Sequence, residues 1–177
     1  MAGRKVKSST RRQWIAAAAV ALAVAVVLLR QGPLPTTQKL TLGGRVFTLE
    51  LALDNQSRYR GLSHREQIDP DGGMLFVFDT ARRQAFVMRD CLIPIDLIYL
   101  GPSGRIVHMH QMEVEPPETR KNPRRLYHSN GPAQFAIELA GGTLPQLALK
   151  EGQKINLPYE KLKTRLRRVD EIQWDSQ

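Results

Sequence analysis

The stretch Gly72 to Leu100, GGMLFVFDTARRQAFVMRDCLIPIDLIYL, constrains the fold most. It holds three apolar runs, Met74 to Phe78, Ala85 to Met88 and Ile95 to Leu100, rich in Val, Ile, Phe and Tyr and too short for helices. They are expected to be core strands. Arg89-Asp90-Cys91-Leu92-Ile93-Pro94 interrupts them with charge and a proline, and Asp96 then sits between Ile95 and Leu97. An ionised carboxylate among apolar side chains is costly unless bonded or paired. Asp96 is therefore either structural or part of a site.

The rest of the body extends a β pattern. Lys39 to Leu42 and Val46 to Leu53 are expected to pair through a turn at Gly43-Gly44-Arg45. Asp54 is a candidate N-cap for a short helix, Asn55 to Arg60, closed by Gly61. A loop from Leu62 to Asp71 leads into the core stretch. Beyond the turn Gly101 to Gly104, the alternation in Arg105 to Val114 puts Ile106, His108, His110, Met112 and Val114 on one strand face. Glu115 to Tyr127 is a proline-rich charged loop with a basic cluster of Arg120, Lys121, Arg124 and Arg125. Ala133 to Leu139 and Gln153 to Leu157 are the remaining expected strands, with a short helical turn after Thr143. From Pro158 to Trp174 the period changes, and Leu162, Leu166, Val169 and Ile172 mark an amphipathic C-terminal helix with an otherwise cationic face. Short strands and regular turns predict a mostly β domain over 39–157, a compact antiparallel β-sandwich of about eight strands, with the helical extension at 158–177.

The N-terminus carries a different signal. Residues 1–30 contain six Lys or Arg and no acid, and Trp14 to Leu29 is uncharged and mostly Ala, Val and Leu. Sixteen helical residues span roughly 24 Å, short of the ~30 Å hydrocarbon core but workable with Trp14 and Arg30 at the interfaces. The favoured reading is an uncleaved single-pass anchor in the cytoplasmic membrane, its basic side cytoplasmic and its body extracytoplasmic. The alternative is a signal peptide cut near Ala23 or Ala25, which would release a secreted or periplasmic protein. Against cleavage, the apolar run continues through Leu29. Residues 31–38, with Pro33 and Pro35, form the linker.

Charge narrows the function classes. Of the net +9, most lies at the two ends, because beyond residue 30 only 20 basic residues face 17 acids and five of those 20 fall in Lys161 to Arg168. The near-neutral body offers no phosphate-tracking stripe, so nucleic acid is not an expected partner. Cys91 is the only cysteine, which excludes an intramolecular disulfide and a Cys-rich metal centre, and a buried inert thiol is expected. His108 and His110 project to one side without an acid on their strand face, so no metal is assigned and no cofactor is expected. His64 and His128 fall in loops with no accompanying catalytic motif. Asp90, Asp96 and Glu138 are the acids set most closely among apolar residues, each with Arg60 or Arg89 as a candidate partner.

Six motifs in order are more specific: Arg60-Gly61-Leu62; Gly73-Met74-Leu75-Phe76-Val77-Phe78; Phe86-Val87-Met88-Arg89; Ile93-Pro94-Ile95-Asp96; Gly104-Arg105-Ile106-Val107; and Ile137-Glu138-Leu139-Ala140-Gly141-Gly142. Over roughly Leu40 to Leu157 the chain resembles the domain of unknown function 192 family, small prokaryotic proteins often exported or membrane-anchored. The resemblance implies a compact, mostly β domain and no established reaction. The chain departs from the family's usual wording at Ser63, Val87, Arg89, Asp90 and Cys91, where Met, Trp, Lys, Asn and Thr are common. Arg60, Gly61, Met88, Arg89, Asp90, Pro94, Asp96 and Glu138 are the candidate site, ligand-binding or structural, with no residue assigned as catalytic. The expected function is a membrane-anchored, non-enzymatic binding or envelope-associated accessory module for an unknown small-molecule, glycan or protein ligand. The alternative is a small hydrolase or carbohydrate-active enzyme using Asp96, Glu138 or His64.

Overall fold

The structure, a computed structural model, describes residues 36–123 and 125–174. The expected anchor at 14–29 lies outside the described residues. Six strands, β1 (Thr37–Leu42), β2 (Arg45–Ala52), β3 (Gly72–Phe86), β4 (Ile95–Leu100), β5 (Ile106–Met112) and β6 (Tyr127–Ala140), form one mixed sheet in the order β1-β2-β3-β6-β4-β5. Three helices, α1 (Asn55–Arg60), α2 (Leu144–Leu147) and α3 (Tyr159–Trp174), lie outside the ladder.

The mostly β expectation holds, but two antiparallel sheets of about eight strands do not. All pairs are antiparallel except β2 with β3, whose parallel register runs from Thr48 beside Gly72 to Ala52 beside Phe76. A parallel pair cannot close through a hairpin, so residues 53–71 cross back over the sheet and carry α1 with them. The two runs at Met74 and Ala85 belong to one long strand. β3 pairs with β6 on both sides of irregularities between Val77 and Arg82 and between Arg83 and Ala85, so Asp79 and Thr80 bulge out of a ladder they do not end. β6 likewise starts at Tyr127, six residues earlier than Ala133, and Gly131-Pro132 falls inside it. The expected strand at Gln153 makes only an isolated bridge, Lys154 to Arg105.

Local signals account for the ends of elements. Gly43 and Gly44, both at positive φ, make the two-residue turn between β1 and β2. Asp54 caps α1: its Oδ1 accepts from the Ser57 N–H at 2.7 Å, and Ser57 Oγ accepts from the Asp54 N–H. Burial raises the Asp54 carboxyl, but the bonds from Ser57 outweigh it and the net shift is downward.

The sheet buries both faces. On one, Leu42, Phe47, Leu49, Leu75, Ile98, Phe135, Ile137 and Leu139 pack beneath Leu147 of α2 and Leu162 and Leu166 of α3. The C-terminal helix therefore docks on the domain as its period predicts. Arg165, expected on its cationic face, is instead buried, with Nη1 near the Thr37 carbonyl. On the other face, Met74, Phe76, Leu97, Tyr99 and Ala136 pack under Leu62, Met88 and Cys91. This second face builds the cleft.

Candidate functional site

Glu138 lies in the middle of the second face. Register aligns Glu50 of β2, Met74 of β3, Glu138 of β6 and Leu97 of β4 across the sheet. Only 4 % of Glu138 is exposed, and its Oε2 has no hydrogen-bond partner. Burial pushes this carboxyl up to about 8, against the pull of the Arg65 charge and the Leu62 N–H. Arg65 does not neutralise it. Its guanidinium grips Glu50 in a two-point pair, Nη1 to Oε1 at 2.7 Å and Nη2 to Oε2 at 2.8 Å, which pulls the Glu50 carboxyl down. At neutral pH Glu138 is mostly a neutral acid.

A cleft of about 210 Å³ opens above it. Aromatic rings form much of its wall: Phe86 meets Phe76 edge-on at 4.8 Å between centroids and Phe78 at 6.5 Å. The crossover supplies the opposite wall through Arg58 to Ser63. Arg58 is held by the carbonyls of Leu53 and Val77, at 3.0 and 2.8 Å, and by Asn55. Arg60 is exposed, and Arg89 stacks over the Tyr59 ring at 4.4 Å. Gln84 also lines the cleft, and its buried Nε2 is likewise unpartnered. The cleft thus combines three arginines, an aromatic wall and two unsatisfied polar groups. Among the described residues, Glu138 is the one acid that lines it.

Of the eight candidate residues, the fold gathers Arg60, Gly61, Arg89 and Glu138 around this cleft. A Cβ on Gly61 would lie 3.4 Å from Glu138 Oε2, so the crossover passes close over the carboxyl. The other four serve elsewhere. Met88 is fully buried in the core. Asp90 stands at positive φ and ties two loops, its N–H donating to the Arg120 carbonyl and its own carbonyl accepting from the His64 N–H. Pro94 packs against Gly141, whose N–H donates to the Pro94 carbonyl at 2.9 Å.

Asp96 faces the other way. It pairs with Leu139, one step from Glu138, and adjacent strand residues alternate faces. Its Oδ2 accepts from the Leu144 N–H at 2.6 Å at the start of α2, while burial raises its carboxyl. This is the structural role the sequence left open. Neither Arg60 nor Arg89 pairs with Asp90, Asp96 or Glu138. Asp96 and Glu138 therefore leave opposite faces and form no carboxylate pair, and His64 is not among the residues that line the cleft.

The histidines of β5 follow a corrected alternation. Tyr99 pairs with His108 but Leu100 with Ile106, so Val107 bulges and Ile106 turns to the first face, away from Met112. His108 bonds Glu151, while His110 Nε2 meets the His128 carbonyl at 2.7 Å and burial lowers its basicity. No group of three His, Cys, Asp or Glu suited to a metal ion occurs among the described residues. Cys91 lines the cleft, yet burial pushes its thiol up to about 12.

Sequence reading missed Arg58, Tyr59, Phe78, Gln84 and Phe86 as cleft residues. Arg58 and Tyr59 had a usable signal, because they share the capped helix with Arg60. Gln84 keeps step with Phe76, Phe78 and Phe86 along β3, and the continuation of that strand past Asp79 and Thr80 brings it to the cleft.

Comparisons place this geometry among known proteins. No curated protein matches the chain. A solved structure from Sinorhizobium meliloti 1021, named as a candidate transcription regulator, is 30% identical with a TM-score of 0.57, over 68% of this chain and 90% of that one. A protein of unknown function from Novosphingobium aromaticivorans DSM 12444 is 25% identical with a TM-score of 0.60, over 71% and 90%. The model of DUF192, described as an uncharacterized ACR, matches residues 38–157, the whole sheet with its crossover and α2. The chain belongs to the DUF192 family.

Proposed function

We propose that the chain is a membrane-tethered, extracytoplasmic binding module whose cleft above Glu138 holds a small molecule. One observation carries the reading: a carboxyl that is 4 % exposed, with an oxygen lacking any partner, lines a cleft large enough for a ligand. An unpaired buried polar oxygen costs stability, typically about 1–3 kcal/mol, and a complementary ligand group recovers it. The absence of a second acid in the cleft favours binding over acid/base hydrolysis, which uses paired groups. The tether rests on the basic segment and apolar run of residues 1–29.

The test is a thermal-shift screen of metabolites and glycans against the full-length chain, repeated on Glu138→Leu and on the rim variant Phe78→Ala. At least one compound should raise the melting temperature of the wild type and leave both variants unmoved. Compounds that stabilise all three alike, or none that stabilises the wild type, would overturn the reading.

A further inference from the structure

The lining of the cleft specifies more than its presence, and the inference here rests on the binding reading above. We propose that the ligand is a small aromatic carboxylate, its ring against Phe78 and Phe86, its anionic end at Arg60 and Arg89, and a polar ring substituent directed to Glu138 and Gln84.

Size sets the first limit. The space of about 210 Å³ exceeds the roughly 150 Å³ of a protein cavity that takes up benzene, so one substituted ring fits. Charge sets the second. With Arg58, Arg60 and Arg89 around it and a single, largely neutral acid within, the cleft attracts an anion and repels an ammonium group. Arg58 is already committed to two carbonyls, which leaves Arg60 and Arg89 to meet a carboxylate.

The balance of polar and apolar lining sets the third. A sugar acid shares the anionic end, but each of its hydroxyls needs a partner once desolvated. Among the described residues the unpartnered buried polar groups in the cleft are Glu138 Oε2 and Gln84 Nε2, whereas Phe78 and Phe86 present ring edges and faces. A carboxyl that can donate and an amide N–H in the same cleft match a ligand with one hydroxyl or carbonyl. An aromatic ring fills the remainder without leaving donors stranded.

The experiment is calorimetric titration of the full-length chain with 4-hydroxybenzoate, benzoate and glucuronate at pH 7, repeated at pH 9. The expected result is a Kd for 4-hydroxybenzoate below about 1 mM, with benzoate about tenfold weaker for lack of the hydroxyl. Glucuronate should not bind. Arg60→Ala with Arg89→Ala should weaken 4-hydroxybenzoate at least tenfold while circular dichroism remains native, and Glu138→Gln, which still offers a donor and an acceptor, should bind within a few fold at both pH values. Wild-type affinity should fall at pH 9, where the ionised Glu138 faces an anion. Glucuronate binding tightly while both aromatic acids fail overturns the aromatic assignment and leaves the binding module intact. If neither these three nor any compound of the thermal-shift screen binds, both readings fall together.

Discussion

Asp96 and Glu138 stand one register step apart on paired strands and leave the sheet by opposite faces. One carboxyl holds the start of a helix, and the other is the buried acid of a cleft. Each keeps one oxygen without a partner, Asp96 Oδ1 and Glu138 Oε2, and what each carboxyl holds or faces sets up different responses to mutation.

Asp96→Ala strips the Leu144 N–H of its acceptor inside the protein, and a loss of about 1–3 kcal/mol is expected. Asp96→Asn keeps an acceptor oxygen and should lose less. Urea denaturation monitored by circular dichroism measures both, and an Asp96→Ala midpoint equal to the wild type would refute the structural role.

Glu138 makes stability depend on pH. Its folded pKa of about 8 lies above the ordinary 4.5, so between those values the folded state binds more protons than the unfolded one. Its contribution is therefore fully present below about 4.5 and is lost as pH rises to about 8, by at most ~1.4 kcal/mol per unit. His110, lowered by burial, works in the opposite sense just below its ordinary 6.5. Comparing wild type with Glu138→Gln isolates the first effect: the variant should be relatively more stable at pH 8.5 than at pH 5. A difference that stays flat with pH would rule the raised carboxyl out.

Cys91 should resist a thiol reagent such as 5,5′-dithiobis(2-nitrobenzoate) in the native state at pH 8. Its thiol, raised to about 12, offers on the order of a thousandfold less thiolate than an ordinary cysteine, and burial restricts access as well. Reaction should become rapid in 8 M urea. Equal rates in the two conditions would contradict the burial.

Gly73 has φ of 150°, and a Cβ there would lie 2.3 Å from the Glu138 carbonyl oxygen. The strands at this register leave no room for a side chain. Gly73→Ala should cost about 3 kcal/mol or more through strain and a forced shift of β3 against β6. An unchanged denaturation midpoint would argue against the close approach of these two strands.

The proposed tether predicts an intact mass of 20.0 kDa for protein extracted from membranes. A shorter chain beginning near Val24 or Val26 would identify a cleaved signal peptide instead.

Features set by neighbouring residues were legible before any coordinates. The Gly43-Gly44 turn, the Asp54 cap and the wholly buried β4 follow from local turn chemistry and a continuous apolar run. Glu138 was visible as an acid between Ile137 and Leu139, though the unpartnered state of its Oε2 was not. Pairings between distant segments escaped. Nothing local indicates that β2 runs parallel to β3, or that Asp79 and Thr80 bulge without ending the strand. The crossover that the parallel pair requires carries Arg58 over Glu138, and the unbroken run of β3 carries Gln84 there, so neither could be assigned in advance.

The parallel pairing of β2 and β3 also separates two kinds of evolutionary freedom. Glu138 and Phe76 are fixed by ladder bonds on either side, so altering them disturbs the sheet. Arg60 and Tyr59 ride on the return segment, which can change length or charge without breaking any strand pairing. The rim of the cleft can therefore be rewritten by substitution or insertion without disturbing the ladder that holds the buried acid beneath it.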